Sequence, residues 1–399
     1  MASEVLQPTD LSRYYRRRRA LKAAAAASVA LLAGSLGGAL NGKANADRIG
    51  SGEPLVGFLL DARTPDHQTV DIELDLVQQT GADAVDFIAT WGATQAEAKN
   101  DVPFLQYAVN KAKDLGLEPF ITYAPCWDKN NPRCHPPLTA GELQRSRSTI
   151  AYLAHSLDVK NWIIGIEPNS GTFWQAQFYK DGSMRSPTSY ANFLASSYDE
   201  IKKVSSDNQV ICGNLASVGK NNPSESDPRH QSISPTYFID GLGKAFKAMG
   251  RSTKFCDLWG QHPYGETPTD DPATPHTDGT IGWADQDQQI QRKSLTSAFA
   301  GTAQIFSGVA NTEYGVDTQS ADGSPRVTEA KQGQFYKYAI GKGACRHQIT
   351  LLLGAQDEPD QSRWQAGVFT TNGVPKGSLV ATQEAIKNFE NNNSGGISC

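Results

Sequence analysis

The chain has 399 residues, 39% of them hydrophobic, with 37 Lys and Arg against 42 Asp and Glu. That balance, −5 at pH 7, argues against nucleic acid or anionic lipid as a partner, because both need clustered Lys and Arg. The length exceeds that of a usual single domain but suits an α/β barrel.

In chain order, the first feature is "RYYRRRRALKAAAAASVALLAGSLGGALNGKANA", which runs from Arg13 to Ala46. A charged start, an apolar middle and a small-x-small end at Ala44-Asn45-Ala46 form the layout of a secretion signal, residues 1–46, cleaved before Asp47. The arginine run before Ala20-Leu21-Lys22 resembles a bacterial twin-arginine export signal. The alternative is an uncleaved anchor helix, against which Gly34, Ser35, Gly37 and Gly38 dilute the apolar stretch. Cleavage removes seven Lys and Arg and two Asp and Glu, leaving 30 against 40 and a charge near −10. No later apolar run reaches the roughly 18 residues needed to span a bilayer. Residues 47–399 are therefore expected to form one domain outside the cytoplasm, a monomer with no membrane contact once the signal is removed.

All six cysteines follow the signal, as an oxidising compartment allows. Cys126 and Cys134 bracket "CWDKNNPRC", a short loop that a local disulfide would tie down. Cys212, Cys256, Cys345 and Cys399 are too widely separated for sequence to pair them. There is no Cys-x-x-Cys, His-Glu-x-x-His, Gly-x-Ser-x-Gly or phosphate loop, and the seven histidines are scattered. No metal and no cofactor is expected.

From Leu55 onward, eight apolar runs alternate with amphipathic stretches. The runs are "LVGFLLD", "DAVDFIATW", "EPFITYAP", "NWIIGIEP", "QVICGNLA", "CDLWGQHPY", "GVANTEYG" and "QITLLLGAQ". They lack strict alternation, as parallel strands buried on both faces do. Between them, Phe104, Ala108, Ala112 and Leu115 share a helical face that Gly116 ends. Phe238, Leu242, Ala245 and Met249 do the same before Gly250. Eight strand–helix units predict a (β/α)₈ TIM barrel. An open doubly wound sheet would share the alternation, but its Gly-rich phosphate turn is missing from "LLDARTPD". The segment "GETPTDDPATPHTDGTIG" after the sixth strand reads as a long loop that either shapes a cleft or is a solvated insertion.

In such a barrel, reactive groups sit at the carboxyl ends of strands. The candidates there are Asp61, Glu167, His262 with Tyr264, Glu313, and Gln356 with Asp357. Glu167 in "IIGIEPN" and Glu313 in "GVANTEYG" each end an apolar run beside small or rigid residues. Two carboxyl groups about 5 Å apart are what retaining glycoside hydrolysis requires, one protonated as acid and one ionised as nucleophile. The aromatics Trp91, Tyr123, Trp127, Trp174 and Trp364 fall near strand ends or in the following loops, where rings could stack on sugar faces. Core packing is the competing reading, expected for at least two of them. Asp61 would bind a sugar hydroxyl or merely cap its loop.

On "GIEPN", "HPY" and "NTEYG", in that order over essentially the whole mature chain, the sequence resembles the clan of (β/α)₈ retaining glycoside hydrolases with glutamates on the fourth and seventh strands. The Glu-Pro-Asn triplet looks most like families 39 and 5 of that clan. The resemblance implies an oligo- or polysaccharide substrate with a β-linkage. It also implies Glu167 as general acid/base, Glu313 as nucleophile, Tyr264 hydrogen-bonding the nucleophile, and His262 lining the cleft. One position departs: most of the clan has Asn before the acid/base glutamate, binding the sugar 2-hydroxyl, and this chain has Ile166. Asn169 and Asn214 are candidates to supply that contact. The usual eighth-strand Trp platform is also missing, with Trp364 as its substitute. These departures keep a second reading open, a non-catalytic carbohydrate-binding protein on a degenerate barrel; a third, a transglycosylase, keeps the glutamates but transfers the glycosyl group to another sugar instead of water.

Overall fold

The computed structural model describes residues 54–60, 66–91, 95–125, 135–276, 279–320, 322–345, 349–358 and 364–391. The expected secretion signal, the Cys126–Cys134 bridge, Trp127 and Asp61 lie outside the described residues.

The eight apolar runs form eight parallel strands, each followed by a helix. In chain order these are β1 (Leu55–Leu60), α1 (His67–Thr80), β2 (Ala84–Trp91), α2 (Gln95–Asp114), β3 (Glu118–Pro125), α3 (Ala140–Ser156), β4 (Asn161–Ile164) and α4 (Ser186–Val204). The second half comprises β5 (Gln209–Ala216), α5 (Pro235–Ala248), β6 (Leu258–His262), α6 (Asp285–Ala298), β7 (Val309–Tyr314), α7 (Glu329–Cys345), β8 (Ile349–Leu353) and α8 (Leu379–Glu390). The strands close in sequence order, with β1 pairing β8, into a (β/α)₈ barrel. Closure leaves no sheet edge with unpaired backbone groups.

Helix boundaries follow local chemistry. Asp66 caps α1 by accepting from the Gln68 and Thr69 amides, and Gly81 ends the helix at φ 82. Thr139 and Glu142 form a reciprocal capping box at the start of α3. The two predicted helical faces pack as expected: Phe104, Ala108 and Ala112, and likewise Phe238, Leu242 and Ala245, are buried against the barrel.

Inside the barrel, Ala84, Phe120, Ile163, Ile211, Ala310, Ile349 and Leu351 make an apolar plug, with Leu55 and Leu258 against it. Side chains alternate along a strand, so the residue two positions on faces the same interior, one layer closer to the mouth. That rule puts Asp86, Thr122, Gly260 and Thr312 above the plug, and His262 above Gly260. Cys212 and Cys256 form a disulfide that joins β5 to the loop before β6. No helix among the described residues is long and apolar enough to cross a membrane.

Candidate active site

The site begins where β4 stops. After Ile164 the chain turns through Gly165 (φ 85) and Glu167 (φ 38), both with left-handed backbone. Only glycine fits at 165, because a Cβ there would lie 2.8 Å from Cε2 of the buried Tyr190. A non-glycine residue such as Glu167 at positive φ costs about 1–2 kcal/mol, and hydrogen bonds on every side hold it. The Glu167 amide donates to the Asn214 carbonyl at 2.9 Å, and the Ser170 amide donates to the Glu167 carbonyl at 2.9 Å. The Tyr190 hydroxyl donates to the Ile164 carbonyl at 2.7 Å and accepts from the Gly213 amide at 2.8 Å.

Two strand irregularities complete the mouth. On β7, Asn311 pairs with Thr350 while Tyr314 pairs with Leu352, so β7 advances three residues for two on β8. This bulge breaks the alternation between Thr312 and Tyr314 and turns Glu313 into the opening, as bulges beside active sites do. On β5, Gly213 pairs with Gly260 and Leu215 with Gln261, leaving Asn214 as the extra residue (φ 49). Asn214 Nδ2 donates to the Ile164 and Gly165 carbonyls at 3.2 Å each, and its Oδ1 accepts from the Thr312 hydroxyl at 2.8 Å. One buried amide thus ties the ends of β4, β5 and β7 together under the two glutamates.

The result is a compact acid–base cluster. His262 Nδ1 lies 3.1 Å from Glu167 Oε1 and 3.9 Å from Glu313 Oε1. The Tyr264 hydroxyl donates to Glu313 Oε1 at 2.8 Å. One oxygen from each glutamate and one His262 nitrogen fall within 4.8 Å of one another. Hydrogen bonds within the group account for these atoms, so we read it as an acid–base cluster and assign it no ion. Burial pushes the Glu313 carboxyl above its ordinary value and the Glu167 charge adds to the rise, while His262 and the Tyr264 hydroxyl oppose it. For His262, burial works against the charged ring, but Glu313, Glu167 and Asp86 outweigh it and the imidazole is raised. Burial lifts the Tyr264 phenol well above its usual range, so it serves as a donor.

Above the cluster opens a cleft of about 900 Å³, the size of a small-ligand site. Leu59, Ile88, Ile166 and Leu353 supply apolar lining beside Glu167 and Glu313. Trp364, 43% exposed, stacks on Tyr264 with ring centres 5.8 Å apart and 25° between planes. The long loop after β6 lines the cleft through Gly265–Pro268, Asp270 and Thr280, and its His276 is held by Asp287 on α6 at 2.7 Å.

Several residues expected to contact substrate do other work. Asn169 is fully buried, with Nδ2 donating to the Ala216 and Ile233 carbonyls and Oδ1 accepting from the Ala216 amide. It pins the loop after β4, and Asn214 is consumed by the backbone bonds above; neither amide is free to bind a sugar hydroxyl. Trp91 is 2% exposed and packs edge-on against His135 rather than lining the cleft. Tyr123 and Trp174 are core residues. His262, 3% exposed, sits beneath the cleft instead of in its wall. Asp357 forms a buried ion pair with Lys376 at 3.0 Å. Sequence reasoning passed over Asp86; its only signal was a lone carboxylate inside the apolar run of β2.

No family model and no curated protein matches this sequence. Solved structures do share its fold. A glucosidase from Croceicoccus marinus aligns with TM-score 0.56 and 13% identity over 84% of this chain and 68% of its own. A family 1 β-glucosidase from Thermotoga maritima aligns with TM-score 0.55 and 13% identity over 85% of this chain and 98% of its own. An exo-β-1,4-mannosidase from an Opitutaceae bacterium aligns with TM-score 0.52 and 13% identity; 84% of this chain is covered, but only 59% of that enzyme's length. At such identity the likeness is one of fold.

Proposed function

We propose that this protein is an exported glycoside hydrolase, acting as a monomer, that cleaves a β-linked oligo- or polysaccharide with retention of configuration. The observation that carries this reading is the approach of Glu167 and Glu313 to within 4.8 Å, near the separation of about 5 Å used in double displacement. The barrel is shared with glucosidases and a mannosidase, which supports the reaction class.

In the first step, Glu167 gives its proton to the leaving-group oxygen as the glycosidic C1–O bond breaks, and a Glu313 oxygen bonds to C1. In the second step, Glu167 takes a proton from water, the water oxygen bonds to C1, and the Glu313–C1 bond breaks. The pair must enter with one proton. Burial is the largest influence raising Glu313; placing the proton on Glu167 removes the like charge that adds to it, and His262 and the Tyr264 hydroxyl then oppose burial in favour of the ionised nucleophile. Trp364 at the rim offers an aromatic face for a sugar ring. The charged, apolar and small-x-small layout of residues 1–46 supports an extracytoplasmic setting.

The test is Glu313→Ala assayed on aryl β-glycosides. We expect loss of turnover, with partial recovery in azide, which fills the cleared space and attacks C1. Normal turnover by the variant would overturn the assignment.

A further inference from the structure

Asp86 is a titratable group that the mechanism above does not use. It lies mid-strand on β2, between Ala84 of the apolar plug and Ile88 of the cleft lining. Alternation points all three the same way, so the Asp86 carboxyl sits inside the barrel one layer beneath the cleft. It is fully buried. Its one hydrogen-bonding residue among those described is Thr122 on β3, whose hydroxyl donates to Oδ2 at 2.5 Å. The other oxygen, Oδ1, has no hydrogen-bond partner.

A buried carboxylate with one bare oxygen is costly unless a cation shares its surroundings. Among the described residues the interior supplies one candidate. His262 faces inward from β6, in register above Gly260, and is likewise buried. Its Nδ1 is turned to the glutamates. The groups that bear on His262 electrostatically are Glu313 on β7, Glu167 after β4 and Asp86 on β2, all acidic; those bearing on Asp86 are Glu313 and His262.

We propose that Asp86 is a positioning residue of this site: a buried carboxylate beneath the cleft that favours the charged ring of His262, adding to the direct contacts from Glu167 and Glu313. The charged imidazole then favours the ionised Glu313 in the resting pair, and Glu167 once it has given up its proton. Asp86 responds in turn. Burial raises its carboxyl to about 7, with the Glu313 charge adding to the rise while Thr122 and His262 pull against it. Each of the two groups therefore bears on the charge of the other. The catalytic meaning of this arrangement rests on the glycosidase reading, but the electrostatic link does not.

The experiment follows the His262 ring by NMR titration of ¹³C-histidine protein, assigned with His262→Gln. In the unaltered protein we expect a midpoint above the ordinary imidazole value of about 6.5. In Asp86→Asn, which keeps shape and a bond to Thr122, the midpoint should fall by at least about half a unit, roughly a threefold change in the protonation constant. Thr122→Val keeps the carboxylate but removes its donor and should move the midpoint down by less; it carries the test if Asp86→Asn fails to fold. A merely structural aspartate would leave the midpoint unmoved. A shift under about 0.2 unit in folded Asp86→Asn, or in Thr122→Val where that variant carries the test, overturns the proposal. Because the titration needs no turnover, a shifted midpoint in a protein without glycosidase activity would retain this inference and remove the functional one.

Discussion

Tyr264→Phe isolates the role of a single hydroxyl. The ring should stay in place, since it stacks on Trp364 and packs tilted against Tyr314 with centres 5.8 Å apart in each case. What is lost is a 2.8 Å donation to a carboxylate whose side chain is only 15% exposed. Hydrogen bonds to charged groups contribute about 1.5–3 kcal/mol. Among the influences on Glu313, burial, His262 and Glu167 all outrank Tyr264, so the lower figure, about 1.5 kcal/mol, applies. That corresponds to about one pKa unit and about a tenfold change in rate. The sign follows from the donor: it favours ionised Glu313, so its removal raises the carboxyl further. The acid limb of kcat/KM on an aryl glycoside should therefore move up by about one unit. The loss should be largest below that limb and shrink above it, where Glu313 is ionised in both proteins. An acid limb that stays in place, or moves down, would refute the assignment of Tyr264 and Glu313.

Gly260→Ala would place a Cβ 1.9 Å from Asn214 Oδ1, displacing the amide that ties β4 to β7. We expect a loss of at least about 2 kcal/mol in denaturant unfolding and a larger fractional loss of activity than of folded protein. Replacing Cys212 and Cys256 with Ala opens a loop of sequence separation 44; loop entropy then predicts destabilisation of about 4 kcal/mol, read as a lower denaturation midpoint. Asp257 bonds Lys202 at 2.8 Å and Lys254 at 2.6 Å. Burial would raise its carboxyl, but these lysines and the Val210 amide together hold it below its ordinary value. A depressed folded value means stability present above the unfolded value of about 3.9 and lost as pH falls through the folded one. Asp257→Asn should therefore destabilise the fold at pH 7 by about 1–2 kcal/mol after screening at Lys254, read as a lower melting temperature, and the difference from the unaltered protein should close in acid.

The barrel was legible because parallel strands buried on both faces leave continuous apolar runs, and all eight runs became strands. The two glutamates were legible for the same reason, since each interrupts such a run at its carboxyl end. What could not be read was register. The bulges that re-aim Glu313 and Asn214 depend on how neighbouring strands align, which no single strand encodes. Asn169 and Asn214 were misassigned on that account: a side-chain amide looks the same in sequence whether it meets a hydroxyl or a backbone carbonyl. Trp91 was misplaced by its strand-end position, although burial of its ring against His135 outweighed a place in the cleft. The Cys212–Cys256 bridge is likewise tertiary, made possible by the adjacency of β5 and β6. Ile166 lines the cleft directly before Glu167.

The most direct test of the central claim is the configuration of the first-formed product. Proton NMR at early times on a β-glycoside should show the β-anomer released first, before mutarotation, as two displacements by Glu313 and water require. Initial release of the α-anomer would contradict the account, since inversion needs carboxyl groups about 6.5–9.5 Å apart and these approach to within 4.8 Å.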